Sequence, residues 1–223
     1  MTDQPIYIGE PIAKVIQLHE SIIENRFEFS SIYEELEAYA NNLYDNFRMG
    51  NRNIAFQLGN YHPDFIGARA THIMNSEIER EDFQLVIARE YGFKNWSAVE
   101  NQKSIQLDET FEKCVDDLLS GDLVLVKATL IQHPELINMR SKYGHKAGLI
   151  HYLGSNGLET WRQVVPQNMV ALLKLLIDFN VNLKLQAKIY GSNDLLALLT
   201  SSAHPWKAGV ARPAIDLLNK SLN

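Results

Sequence analysis

The sequence predicts an all-α protein, on two observations. Apolar residues recur at three- and four-residue steps along most of the chain, the spacing of amphipathic helices. Glycine or a histidine–proline pair follows several of these apolar segments, and both end helices. No segment alternates convincingly between apolar and polar residues, and "PIYIGEP" near the start is expected to be at most an extended arm.

Four helices are predicted in residues 1–105, which we assign to a helical N-terminal domain. The first covers 11–26. The second begins with Ser31 and Glu34, at the spacing of a capping box, and Gly50 is placed to end it in a left-handed turn. "REDFQLVIAREYGF" predicts a third helix, and "NWSAVE" a short fourth one.

Two segments of the chain resemble each other. "RMGNRNIAFQLGNYHPDF" and "LSGDLVLVKATLIQHPEL" share a glycine, then Asn or Asp, then an apolar helix and a histidine–proline pair. Each is interpreted as half of a helical hairpin, because glycine ends one helix and proline prevents the next from continuing. Since capping residues are generic, chance similarity is the alternative.

Residues 106–223 repeat a pattern of helix, helix and loop three times. Helices are predicted over 109–120 and 123–133, and then in "LIHYLGSNG", "NMVALLKLLIDFN", "DLLALLTSSA" and "ARPAIDLLNKSLN". Polar loops, "NMRSKYGHKAG" and "VNLKLQAKIYGSN", separate the pairs, and the inserts "LETWRQVVPQ" and "HPWKAGV" lengthen two connections within pairs.

This region resembles the ankyrin repeat, whose pattern runs roughly G-x-T-P-L-H-x-A-A-x-x-G and then a helix ending L-L-L-x-x-G-A-D. "GHKAGLIHYLGSNG" is similar to it at Ile150, His151 and Gly157, "LLIDFNVN" matches the helix ending, and "YGSNDLLALL" is a weaker copy. The resemblance implies an ankyrin-type solenoid of about three degenerate repeats, whose loops line up as fingers along one edge. "DFQLVIAREYGFKNW" resembles a segment that often precedes such repeats in bacterial proteins.

The chain departs from the family pattern at the start of this best repeat. Gly148 stands in place of the threonine, Leu149 in place of the proline and Leu153 in place of the first alanine. We therefore expect His151 to have a structural role, bonding the backbone of a neighbouring loop. Gly121 and Gly157 are expected to be structural as turn residues.

Composition and motifs argue against several functions. The net charge is −6, and the acidic residues are concentrated in 1–105, which disfavours nucleic-acid binding. No apolar run approaches the roughly 18 residues of a membrane span. There is no basic leader, and the single cysteine, Cys114, fits a reducing compartment and a core position, so the cytoplasm is expected. No metal-binding, nucleotide-binding or hydrolase motif occurs, so we predict no catalytic residues, metal or cofactor.

The two polar loops supply most of the predicted binding site, and the two inserts supply the rest. The loops carry Arg140, Lys142, Tyr143, Lys146, Lys184, Lys188 and Tyr190, and no acidic residue lies within either loop. They form either a basic, tyrosine-bearing groove or simple solvated loops. The inserts hold Trp161 and Trp206 beside cations, which suits recognition as well as it suits packing back over helix ends.

These patterns predict a non-catalytic protein–protein interaction module that binds a partner protein through its loops and concave face. An acidic partner would suit the basic loops. One alternative is a small hydrolase or metal-dependent enzyme that uses His145, His151 or His204. Another is a structural role through self-association. The oligomeric state stays open at this point.

Overall fold

The computed structural model describes residues 5–222, and within them it is almost entirely helical, with thirteen α-helices and one short pair of strands. The prediction of an all-α fold class is confirmed for these residues. The chain forms two compact units. The N-terminal unit comprises Glu10–Leu107 and Glu159–Trp161. The C-terminal unit comprises Asp108–Leu158, the described part of Arg162–Asn223 and the described part of Met1–Gly9.

Six helices make up the N-terminal unit. They are α1 (Glu10–Glu24), α2 (Ile32–Arg48), α3 (Ala55–Tyr61), α4 (Ala70–Met74), α5 (Arg80–Glu90) and α6 (Trp96–Glu100). Helices α1, α2, α5 and α6 are the four predicted in this domain, and α3 is the apolar helix predicted within "RMGNRNIAFQLGNYHPDF". Helix α4 was not predicted. Short 3-10 turns at Arg26–Glu28, Arg52–Ile54 and Pro63–Phe65 connect the helices.

The start of α2 shows a capping arrangement that differs by one residue from the predicted box. The Ser31 hydroxyl accepts the Glu34 backbone N–H at 3.3 Å, as predicted. The Glu34 carboxylate, however, accepts from the backbone N–H and the hydroxyl of Ser30. The helix gains both caps, because a serine stands at each of the two positions. Gly50 then follows α2 with a left-handed φ of 73°.

Helix α5 organises the core of the N-terminal unit. It packs against α2 and α3, while α2 also contacts α1 and α6, and α3 also contacts α4. The α5 side chains of Phe83, Val86 and Ile87 are fully buried. The earlier of the two similar segments thus forms α3, which packs chiefly on α5 and α4.

The C-terminal unit contains the remaining helices and both strands. They are β1 (Ile6–Tyr7), α7 (Glu109–Ser120), α8 (Leu123–Gln132), α9 (Leu149–Tyr152), β2 (Val165–Pro166), α10 (Met169–Asp178), α11 (Leu195–Ser201), α12 (Ala203–Lys207) and α13 (Ala211–Leu222). Helix α9 is a single turn, much shorter than predicted, and α12 lies largely within the insert "HPWKAGV", for which no helix was predicted.

The antiparallel pair of strands is a feature that sequence analysis missed. Ile6 aligns with Pro166 and Tyr7 with Val165, and the backbone N–H of Gln167 donates to the Pro5 carbonyl oxygen at 3.0 Å. The predicted extended arm is therefore a strand. It belongs to the C-terminal unit, although sequence analysis grouped it with residues 1–105.

The helices of the C-terminal unit form two adjoining rows. Helix α7 packs on α8 and on α9, and α9 packs on α11. Helix α8 packs on α10, and α10 packs on α13, which also contacts α11. One row is therefore α7, α9 and α11, and the other is α8, α10 and α13. The two polar loops lie between successive helix pairs, before α9 and before α11.

Candidate functional site

The first finger loop, residues 139–148, is closed by its own hydrogen bonds. The Ser141 backbone N–H donates to the Ala147 carbonyl oxygen at 2.7 Å. The Arg140 guanidinium donates to the Lys146 carbonyl oxygen at 2.8 Å. Lys146 has a left-handed φ of 54°, which a residue with a Cβ atom adopts only when its surroundings hold it there. The loop is thus an ordered turn.

The second finger loop, residues 182–193, is closed in a similar way. The backbones of Ala187 and Asn193 exchange two hydrogen bonds, of 2.9 and 3.1 Å. The tip between them turns through Tyr190 and Gly191, with φ values of 47° and 102°. A φ of 102° lies in a region that favours glycine, so the Tyr-Gly pair fits the turn.

Backbone bonds join the two finger loops side by side. The Lys188 backbone N–H donates to the His145 carbonyl oxygen at 2.7 Å. The Arg140 guanidinium, which closes the first loop, also donates to the Gln186 carbonyl oxygen of the second. We call this pair of joined loops the finger surface. Arg140 therefore stabilises the finger surface, and the Arg140 side chain is part-buried.

His151 lies at the base of the finger surface and is fully buried. Its Nδ1 accepts the Gly148 backbone N–H at 3.0 Å, so Nε2 carries the proton and donates to the Leu185 carbonyl oxygen at 2.9 Å. Burial lowers the pKa of His151, which favours this neutral form. Both finger loops are thereby tied to α9.

The structure also shows how closely other atoms approach Gly148. A Cβ atom on Gly148 would lie 2.7 Å from Leu185 Cδ2 and 3.1 Å from the Met139 carbonyl oxygen. Both distances are too short for ordinary contact. A side chain at position 148 would therefore require the Leu185 side chain of the second finger loop and the Met139 carbonyl to shift.

Replacing His151 with alanine is expected to lower the free energy of unfolding of the C-terminal unit by about 1 to 3 kcal/mol. The change leaves the Gly148 N–H and the Leu185 carbonyl oxygen without their partner. Chemical denaturation followed by circular dichroism measures the loss. His133→Ala is the control, because the His133 side chain is 45% exposed beside Glu135, and it should change little. Equal losses in both variants would contradict the role assigned to His151.

The finger surface carries a concentration of positive charge. Lys142, Lys184 and Lys188 are exposed, and Lys146 is half-buried. Within residues 5–222, none of these lysines forms an ion pair with a carboxylate. Burial lowers the pKa of Lys146, and the charges of Lys188 and Lys142 lower it further. The ammonium groups are therefore close enough to repel one another.

The two tyrosines of the finger loops have different environments, which corrects one prediction. Tyr143 is fully buried, and its ring lies 5.8 Å from that of His145. It packs inside the first loop and cannot serve as a partner-binding residue. Tyr190 is 70% exposed, and its hydroxyl donates to Asn156 Oδ1 at 3.3 Å. Only Tyr190 offers an aromatic face to a partner.

The two insert tryptophans also differ. Trp161 is part-buried within the N-terminal unit, where its Nε1 donates to the Tyr91 hydroxyl at 3.3 Å and Arg26 lies 5.3 Å from its ring. Trp161 therefore packs back into its own unit. This is one of the two alternatives that the sequence left open for the insert tryptophans, the other being an exposed recognition residue. Trp206 is 49% exposed, although its Nε1 donates to the Leu199 carbonyl oxygen.

The glycines expected to be structural both adopt left-handed conformations. Gly121 has a φ of 81° and caps α7. Gly157 has a φ of 66°, and a Cβ atom there would lie 2.3 Å from Ile189 Cγ2 and 2.8 Å from the Tyr190 ring. The ring of Tyr190 thus lies against Gly157.

Asn156 is a residue of this surface that sequence analysis did not single out. Its amide bonds both Tyr190 and the Ser201 hydroxyl, at 3.3 and 3.0 Å. The Asn-Gly pair at positions 156 and 157 was the available signal, since such pairs mark tight turns. Together with Tyr190 it gives the finger surface an uncharged polar edge.

Two open grooves are lined by residues that do not belong to the finger surface. One, of about 500 Å³, is in the N-terminal unit and is lined in part by Lys14, Arg52 and Phe56. The other, of about 320 Å³, lies between α7 and α8 and is lined in part by Asp117 and His133. None of the histidines considered for catalysis, His145, His151 and His204, lines either groove.

Cys114 is fully buried, and burial raises the pKa of its thiol to about 12. A thiol with so high a pKa stays protonated near neutrality, which disfavours its use as a nucleophile. Among residues 5–222, no group of three or more His, Cys, Asp or Glu side chains is arranged to hold a metal ion. No helix in that range combines the length and apolar character needed to cross a membrane.

Comparisons with protein-family models, with curated proteins and with solved structures find no match to this chain.

Proposed function

We propose that this protein is a non-catalytic protein-binding module whose residues 106–223 form an ankyrin-type solenoid of about three repeats. Three features support the proposal: the two rows of helices, the finger loops that adjoin each other before α9 and α11, and the histidine that ties those loops to α9. Stacked repeats of this kind present extended surfaces to partners.

The finger surface is the proposed binding site, and an acidic protein is the proposed partner. The observation that carries this is the joining of two ordered loops that present Lys142, Lys146, Lys184 and Lys188 without a paired carboxylate in residues 5–222. Like charges held together repel, and an anionic surface relieves that repulsion. Tyr190 supplies an exposed aromatic side chain beside them, of a type enriched at binding hot spots.

Reversing the charge of Lys142 and Lys188 together to glutamate is expected to abolish capture of the partner at low salt. Proteins bound to the wild type and to the variant are compared by affinity capture and mass spectrometry at low and high salt. Wild-type capture should weaken as salt rises, because the attraction is screened. Lys220→Glu is the matched control, an exposed lysine on α13 outside the finger surface, and it should retain the partner.

Tyr190→Ala separates the aromatic contribution from the charge. It should speed dissociation of the captured partner with little change in the salt dependence, since desolvated aromatic anchors mainly slow dissociation. A partner whose binding ignores Tyr190→Ala and the lysine reversals alike would show that the finger loops are simply solvated. Trp206, exposed on α12, would then be the next residue to test.

Self-association is the second candidate function, because α8 exposes an apolar stripe. Val124 is 75% exposed and Ile131 63%, and their separation of seven residues places both on one helix face. Leu125, the neighbour of Val124 in sequence, is 49% exposed. A stable homodimer in solution whose finger loops are buried would favour this candidate. No comparable feature supports the hydrolase alternative, since His145 and His151 are fully buried.

A further inference from the structure

Lys146 occupies an unusual position within the finger surface. Its ammonium group donates to the Lys142 carbonyl oxygen at 2.8 Å, so the side chain folds back over its own loop. The side chain is half-buried, and the Lys188 backbone is bonded to the neighbouring residue, His145. The result is a lysine held in one place and flanked by two exposed lysines.

Such surroundings make an amine reactive. A lysine attacks an electrophile only as the neutral amine, and both burial and adjacent positive charge favour that form. Both influences act on Lys146. The flanking ammonium groups of Lys142 and Lys188 also raise the local concentration of small anions. Lys146 therefore combines a lowered pKa with a position among cations, where anionic reagents collect.

We propose that Lys146 is a site of covalent acylation by small anionic acyl donors of the acyl phosphate class. The nitrogen lone pair attacks the carbonyl carbon of the donor and forms an amide bond. The bond between that carbon and the phosphate oxygen breaks, and inorganic phosphate leaves with the bonding electrons. The proton released from the nitrogen is taken up by the phosphate, so the step needs no oxidant, reductant or metal.

Acylation would change the finger surface as well as Lys146. An amide carries no charge, so the modified loop presents one cation fewer, and the bond from the ammonium group to Lys142 loses its ionic character. If the finger surface binds an acidic protein, as proposed above, acylation weakens that binding. This regulatory consequence rests on the proposed function, whereas the acylation itself does not.

The test treats the purified full chain with acetyl phosphate and follows each lysine by quantitative mass spectrometry. Lys146 should be acetylated at least about five times faster than Lys220, which is exposed and outside the finger surface. In a Lys142→Gln, Lys188→Gln variant, the rate at Lys146 should fall towards that of Lys220, whose own rate stays unchanged. Circular dichroism verifies that the variant is folded.

A second donor separates the attraction of anions from the reactivity of the amine. With the neutral acetyl ester of N-hydroxysuccinimide, the advantage of Lys146 over Lys220 should shrink but persist. Three results would overturn the proposal: equal rates at the two lysines, an advantage that survives in the double variant, or an equal advantage with the neutral ester. Because no partner is present, these results are independent of the capture experiment.

Discussion

Replacing Arg162 with methionine is expected to lower the free energy of unfolding of the C-terminal unit by about 3 to 5 kcal/mol, the usual effect of breaking a buried ion pair. Arg162 is only 1% exposed, and Glu112, which accepts from its Nη1, is fully buried. The same guanidinium donates to Asp116 Oδ1 at 2.8 Å and to the Glu112 carbonyl oxygen.

The loss is large because of what remains after the substitution. Methionine fills part of the volume but leaves the Glu112 carboxylate buried without the guanidinium, while the Ser141 hydroxyl still donates to it from 2.9 Å. An unpaired charge in a low-dielectric interior costs far more than a lost surface contact. The bond to Ser141 also connects this cluster to the first finger loop, so the variant should loosen that loop.

Two variants control this experiment, which uses chemical denaturation followed by circular dichroism. Arg212→Met removes an exposed arginine that pairs with Asp216 on α13, and it should change stability by less than about 1 kcal/mol. Glu112→Gln combined with Arg162→Met removes the stranded charge and should recover part of the loss. If Arg162→Met is no less stable than Arg212→Met, the structural role of Arg162 is refuted.

Arg162 also illustrates what the sequence could not predict. An arginine beside tryptophan in an insert is interpreted as exposed, because arginine is seldom fully buried. Its partners lie about fifty positions earlier on α7, and the only local signal is that Glu112 and Asp116 stand four residues apart on one helix. Such a spacing is common on solvated helix faces as well, so only the tertiary structure identifies the cluster.

Local periodicity explains what could be predicted. Helix α7 covers 109–120, the predicted range, because its apolar repeat, the Asp108 cap and the left-handed Gly121 all lie within the segment itself. The strand pair β1–β2 was missed because two-residue strands are too short to show alternation. Helix α9 was overestimated because Leu153 extends the apolar run of its one turn, whereas the chain already turns at 153–154 and bends at 156–158.

The finger surface was predictable in charge but not in detail. The absence of acidic residues from both loops is visible in the sequence, and the structure places these loops side by side. The two Tyr-Gly pairs look equivalent in sequence, yet Tyr143 is buried and Tyr190 is exposed. The difference depends on the packing of each loop, which no local pattern encodes.

A buried polar network in the N-terminal unit leads to the second large prediction. His19 is 1% exposed. Its Nδ1 accepts from the Asn42 amide at 2.9 Å, and its Nε2 donates to Gln57 Oε1 at 3.0 Å. Gln57 in turn donates to the Glu90 carboxylate at 2.8 Å. These bonds need a neutral imidazole, because a proton on Nδ1 would face the donor group of Asn42.

Burial lowers the pKa of His19 from 6.5 to about 4. Between those values the unfolded chain binds a proton that the folded protein does not, so stability falls as the pH falls through this window. The full effect corresponds to about 3 kcal/mol. Glu90 acts in the opposite direction, since burial raises its pKa and its contribution to stability decreases as the pH rises above 4.5.

Comparing His19→Gln with the wild type isolates the contribution of His19, because Glu90 is present in both. Glutamine removes the titrating ring, so between pH 6.5 and about 4 the variant should lose about 3 kcal/mol less stability than the wild type. Chemical denaturation at several pH values gives both curves. His72→Gln changes an exposed histidine of the same unit and should leave the wild-type curve unaltered. Parallel curves for His19→Gln and the wild type would mean that His19 takes up its proton as readily in the folded as in the unfolded chain, and would contradict the neutral, hydrogen-bonded imidazole.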